Sequence, residues 1–427
     1  MQKKRREFLK MTGLAVAGFS NQHEINGIVN QLMNEPIQSV ANAENTDTKL
    51  SIIGQYGEWA NKINANKLPQ LSFRRKEFTD LKAWQKVAKK RVLERMAMVD
   101  IGGKIPKVTL VEQFEYDGLH IEKLTWQLPY GRPTEAILLK PSNAKGKLPA
   151  ILALHDHGGN KYLGTRKIVK VADNQHPMID EHQKLYYEGQ AWANEMAKKG
   201  YVVLVSDAFA FGSRRVMMQD IPERMRQGLT DNEPEKQANI DAYNEWANSH
   251  EQVMARSLFS AGTTWPAVFV AEDQKALDVL CARPDVDAAN VGCCGLSGGG
   301  LRSVFLGGLD DRIKCAVPVG FMTTWADFLL NKSFTHTWMT YVPLLPNELD
   351  FPEILGLRTP LPTLVLNDTE DSLFTLSEMK KADVILAEVY KKANASEHYK
   401  CSFHAGPHKF DKKMQAEAAE WFDKWLK

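Results

Sequence analysis

Five continuous apolar runs, each bounded by turn residues or by a helix-like segment, constrain the fold more than anything else in this chain. They are "AILALHD" (150–156), "YVVLVSD" (201–207), "NVGCCG" (290–295), "IKCAVPVG" (313–320) and "LPTLVLND" (361–368). A strand that is apolar at every position, rather than every second one, is buried on both faces. Between the runs lie helical stretches: "LYYEGQAWANEMAKKG" ended by Gly200, "EDQKALDVLCARP" stopped by Pro284, "GGGLRSVFLGG" and "LSEMKKADVILAEVYKKA". "EHYKCSFHAG" reads as a last strand, and the closing helix carries Met414, Ala418, Trp421, Phe422 and Trp425 on one face. The pattern predicts a three-layer α/β fold, a mostly parallel central sheet with helices on both faces.

Upstream the texture differs. "KVTLVEQFEY", "LHIEKLTWQL" and "TEAILLKPS", broken by Asp117-Gly118 and the Pro129–Pro133 region, predict an antiparallel start to the sheet. Before them "KAWQKVAKKRVLERMAMV" has helical spacing. The expected organisation is 1–43 as a leader and spacer, 44–104 as a helical extension packed on the core, and 105–427 as the α/β domain. Residues 207–260 and 320–358 interrupt the alternation after strand ends, where open α/β sheets keep their sites, and read as lids or substrate walls.

A net charge of +2 over 427 residues gives no electrostatic case for nucleic acid or an anionic membrane. No run after the first few dozen residues approaches the roughly 20 apolar residues that span a bilayer. The first residues, "MQKKRREFLKMTGLAVAGF", pair Arg5-Arg6 with a short apolar stretch and resemble a bacterial twin-arginine export signal. That resemblance implies passage through the twin-arginine translocase and a periplasmic or secreted protein with no stable membrane insertion after processing. Cys281, Cys293, Cys294, Cys315 and Cys401 lack metal-type spacing and read as core residues.

Gly295-Leu296-Ser297-Gly298-Gly299 fits G-x-S-x-G between a predicted strand and a predicted helix. A sharp turn there strains the serine backbone, exposes its hydroxyl and aims a helix N-terminus at it, so the flanking positions must lack side chains. A serine needs a base and an acid to orient that base. His408 in "AGPHKF" is the expected base, with His404 the runner-up. The acid lies in "NDTEDSLF", where Asp368, Glu370 and Asp371 all qualify and Asp371 is preferred. The loop His155-Asp156-His157-Gly158-Gly159 follows a strand, and its His157 amide, or that of Gly158, is the expected second oxyanion donor beside Gly298. "HDH" lacks the Asp-His pair of zinc hydrolases, and neither metal nor cofactor is expected. Arg214, in "FGSRR", and Trp338 are candidates for meeting substrate; a salt bridge and core packing are the competing readings. Trp265 reads as core, and Asp273 and Asp278 as caps or ion-pair members.

The elbow, the order serine–acid–histidine and the oxyanion loop together resemble the α/β-hydrolase superfamily from about residue 105 to 427. "HDHGG", "SDAFAFGSRR", "RPDVDAANVGCCGLSGGG", "LNDTEDSLF" and "GPHKF" look like its dienelactone-hydrolase and acetyl-xylan-esterase-like branch of exported bacterial proteins. The resemblance implies ester hydrolysis, commonly of acetyl groups on plant polysaccharides. A serine stands where dienelactone hydrolases have cysteine, and Gly298 stands where glucuronoyl esterases carry arginine. The alternatives are a serine peptidase of the prolyl-oligopeptidase type, for whose propeller the chain lacks room, and a non-catalytic carbohydrate-binding relative.

Overall fold

The computed structural model describes residues 50–64 and 68–427, which lie in one compact unit. The segment expected to be an export signal falls outside the described residues. In chain order the main elements are α1 (Tyr56–Asn64), α2 (Leu81–Met96), β1 (Thr109–Tyr116), β2 (Leu119–Trp126), β3 (Thr134–Pro141) and β4 (Leu148–Ala153). There follow α3 (Pro177–Tyr187), α4 (Trp192–Lys198), β5 (Val202–Ser206), α5 (Gln237–Ser260), α6 (Trp265–Cys281), β6 (Val286–Leu296) and α7 (Gly298–Leu309). The chain closes with β7 (Ile313–Val319), α8 (Phe351–Gly356), β8 (Thr363–Asp368), α9 (Leu376–Lys392), β9 (Tyr399–His404) and α10 (Lys412–Leu426).

The strands form one sheet of order β1-β2-β3-β5-β4-β6-β7-β8-β9. β1 to β3 are antiparallel, β3 meets β5 antiparallel, and β4 to β9 run parallel with β5, as the change of texture near residue 148 requires. Alternation divides the core between the two faces. Leu152, Leu204 and Cys293 join the layer of α2, α6, α7, α8 and α9. Ile151, Val203 and Cys294 join the layer of α3, α4 and α10.

The helical extension belongs to this core. Asp80 caps α2 by accepting from the Ala83 amide at 3.0 Å, and Trp84, Ala88, Val92 and Met96 bury one stripe of it. The Trp84 indole donates to the Leu71 carbonyl at 2.6 Å. One element departs from the sequence reading. The helix expected over 185–200 is two, because Glu188 turns left-handed (φ 53°) and Gly189 follows (φ 76°). The break lets Trp192 bury completely against Phe410. The insertion 207–260 contributes short 3-10 turns and the long α5, and 320–358 is a chain of short helical turns ending in α8. Among the described residues no helix is long and apolar enough to cross a membrane.

Candidate active site

The site forms where the central strands β4, β6 and β8 end. β6 closes on Leu296, and α7 begins at Gly298, leaving Ser297 alone at φ 56°, ψ −118°. A non-glycine residue there is strained, and the surroundings hold it in place. The Ser297 amide donates to Val319 at 2.9 Å, and its carbonyl accepts from Leu301 at 2.8 Å. The glycines answer to contacts. A Cβ at Gly295 or Gly299 would lie 2.2 or 2.0 Å from the Leu154 carbonyl oxygen, and one at Gly300 would lie 2.4 Å from that of Val319. Gly300, whose role no motif states, is therefore required by the crossing of α7 over β7. A Cβ at Gly298 would meet the His157 amide nitrogen at 2.9 Å, so the loop after β4 lies against the start of α7.

His408 Nδ1 lies 2.6 Å from Asp371 Oδ2, and the ring is nearly enclosed. Burial opposes charge on this imidazole, yet the Asp371 hydrogen bond and carboxylate, with Asp368 and Asp156 beyond, raise its pKa above the ordinary 6.5. Its Nε2 is buried without a partner, and His408 shares a cavity of about 210 Å³ with Ser297. Gly298, His157, Gly158, Tyr186, Phe321, Met339 and Leu373 line the same cavity, as do residues 335–337 and Thr340 of the second insertion. That insertion is thus a wall of the site, whereas α5 reaches only the outer side of the His157 loop.

The runner-up positions have other partners. His404 Nε2 pairs with Glu417 at 2.8 Å. Asp368 Oδ2 accepts from the Lys409 amide at 3.1 Å, and burial pushes this carboxyl up to about 7. Arg214 is not brought to the cavity: its guanidinium is buried against Glu272 at 2.6 Å and holds the Arg132 carbonyl. Trp338 is not brought to the cavity either: it is 37% exposed and edge-on to Phe259. Trp265 is buried, Asp273 pairs with Arg302 at 2.5 Å, and Asp278 pairs with Lys275 and Arg312. Cys293, Cys294 and Cys315 are buried, and Cys281 and Cys401 half-buried.

Among the described residues no three His, Cys, Asp or Glu side chains gather as a metal site. The histidines of "HDH" diverge. His155 is buried and bonded to the Asp156 carbonyl at 3.0 Å, and burial drops its pKa well below 6.5. His157 Nε2 lies 2.7 Å from Glu251 of α5, beside Lys161, and its Nδ1 accepts from the Gly159 amide. Asp156 accepts from Tyr187 at 2.5 Å and His182 at 3.1 Å; burial opposes its charge, but His182 and Lys167 hold its pKa well below the usual range. No spacing in the sequence connects Glu251, 94 residues away, to His157. The cavity residues at 335–340 were equally invisible, because irregular walls have no period.

No protein-family model matches the chain. A Bacillus subtilis protein named "Putative hydrolase YtaP" is 25% identical over 307 residues, covering 72% of this chain and 88% of that one. Among solved structures, a "putative acetyl xylan esterase" of Bacteroides fragilis superposes with a TM-score of 0.60 at 17% identity, covering 81% of each chain. A glucuronoyl esterase of Solibacter usitatus gives 0.57 at 14% identity, covering 84% of this chain and 98% of that one. With the sheet order and the strand–serine–helix turn, these likenesses establish that the chain has the α/β-hydrolase fold.

Proposed function

We propose that the protein is a serine carboxylic-ester hydrolase that works through an acyl-enzyme. The observation that carries the reading is one arrangement: His408, held by Asp371 at 2.6 Å, keeps a free Nε2 in the cavity that contains the strained Ser297. In the proposed reaction His408 Nε2 takes the Ser297 proton as the hydroxyl attacks the ester carbonyl, and Asp371 fixes the tautomer. The amides of His157 and Gly298 receive the oxyanion, with the α7 N-terminus adding its dipole. His408 then protonates the departing alcohol, and water frees the acyl group by the same proton path.

The acyl group is read as acetyl and the alcohol as carbohydrate. A cavity of about 210 Å³ suits a small acyl group, and among the described residues no Lys or Arg lines it to meet an anionic one. The names of the two structural neighbours, an acetyl xylan esterase and a glucuronoyl esterase, support a carbohydrate ester. Ser297→Ala should abolish p-nitrophenyl acetate hydrolysis and leave the melting curve unchanged; retained activity would overturn the reading. Residues 1–43 are read as a twin-arginine export signal and spacer. Replacing Arg5 and Arg6 with lysine should strand the protein in the cytoplasm of a bacterial host, and unaltered export would sink that part.

A further inference from the structure

Two fully buried cations stand behind the loop that follows β4, and the reaction described above gives neither a task. Lys167 sits in the turn of residues 164–167 with no solvent exposure. Its ammonium donates to the Asp156 carbonyl and, at 3.0 Å, to the His157 carbonyl. Arg302 of α7, neutralised by Asp273, places Nη1 3.4 Å from the His155 carbonyl. Three successive carbonyls of one loop are thus turned toward buried cations.

The geometry of the peptide unit gives this a consequence. In a trans peptide the carbonyl of one residue and the amide of the next lie in one plane and point opposite ways. Fixing the Asp156 carbonyl therefore fixes the His157 N–H, and fixing the His157 carbonyl fixes that of Gly158. The first of these lies beside the start of α7, where a Cβ on Gly298 would lie 2.9 Å from the His157 nitrogen, and Gly158 lines the same cavity. A cation on the carbonyl also polarises the peptide and strengthens donation from its N–H, an effect that buried surroundings leave unscreened. The Lys167 site is closed on its remaining sides by the Phe211 ring at 4.9 Å and the Asp156 carboxylate at 3.5 Å.

We propose that Lys167 is a positioning residue for acyl transfer, orienting and polarising the His157 amide so that, with the Gly298 amide, it meets the developing oxyanion. The inference rests on the ester-hydrolase reading. It adds that the electrostatic strength of the oxyanion site comes in part from a charge that never touches substrate. The groups facing Lys167 are His155, Asp156 and His157 in the loop after β4, His182 of α3 beyond Asp156, Lys161 with its partner Glu251 of α5, and Asp207 after β5. Burial and, less strongly, Lys161 lower the Lys167 pKa, Asp156 and Asp207 oppose them, and the balance brings it down to about 8.

The test compares Lys167→Met, which keeps the stem and removes the charge, with Lys167→Arg, which keeps the charge. Turnover of p-nitrophenyl acetate is measured per active site, the sites being counted by exhaustive fluorophosphonate labelling. Lys167→Met should lower kcat about 10- to 100-fold with KM little changed, the range expected when an oxyanion donor is weakened rather than lost. Wild-type kcat should fall through about pH 8 with an unchanged circular dichroism spectrum, and Lys167→Arg should remove that alkaline limb. A Lys167→Met kcat within about threefold of wild type would overturn the proposal. Should that variant fail to fold, the wild-type profile decides, and a kcat flat from pH 7.5 to 10 overturns it. An inactive wild type, or activity that survives Ser297→Ala, instead removes the ester-hydrolase reading and is seen without any Lys167 variant.

Discussion

His408 and His404 are four positions apart, and their surroundings separate them. The first has Asp371 on one nitrogen and an open cavity on the other; the second spends its Nε2 on Glu417. Asp371→Asn should therefore lower kcat by about 10³- to 10⁴-fold, because the imidazole loses the acceptor that selects its tautomer. A base works only when neutral, and the pKa of His408 is raised, so kcat/KM should climb with pH along a limb centred above 6.5. In Asp371→Asn the residual activity should show that limb at lower pH, since the raising partner is gone. A limb at the same pH in both proteins, measured from pH 5 to 9, would assign the titration to another group. The sequence narrowed the acid to three carboxylates in "NDTEDSLF"; the imidazole contact sets Asp371 apart from Asp368, whose carboxyl is buried under the Lys409 amide.

At the scale of elements, the elbow was legible because everything it needs lies within a few residues: a buried strand, a glycine on each side, a helix. Gly300 was not, since the atom that forbids a side chain there, the Val319 carbonyl oxygen, belongs to the next strand. Gly300→Ala should cost about 1–3 kcal/mol in urea unfolding, the usual cost of overpacking, while Gly103→Ala, with open space around it, should cost far less. Equal effects would remove the packing explanation. The break between α3 and α4 escaped for a similar reason. A single glycine inside a helical pattern such as "YYEGQAW" costs only about 1 kcal/mol and is often tolerated, so Gly189 alone does not announce the turn that lets Trp192 fit against Phe410. Lys167 and Glu251 lay beyond reach altogether, as buried charges are defined by partners distant in sequence.

For the whole molecule, the switch from an antiparallel start to a mostly parallel sheet followed from texture, whereas the strand order, with β5 between β3 and β4, has no signal in the sequence. Trp84, Ala88, Val92 and Met96 of α2 sit in the same cluster as residues of α6, α7 and α9. Trp84→Ala should destabilise the protein by about 3–5 kcal/mol and lower the single melting transition as a whole. A separate early transition would show that the extension melts independently of the sheet.

The smallness of the cavity has a last consequence, in the traffic of molecules. A space of about 210 Å³ holds roughly seven waters, room for a short acyl group and tight for a sugar ring beside it. On the proposed reading the alcohol half of the ester never enters: it rests at the mouth and departs from there. The water that completes the cycle must come in through that same doorway, so a polymer slow to move aside would hold the enzyme in its acylated form, and the pace of catalysis would be set at the threshold.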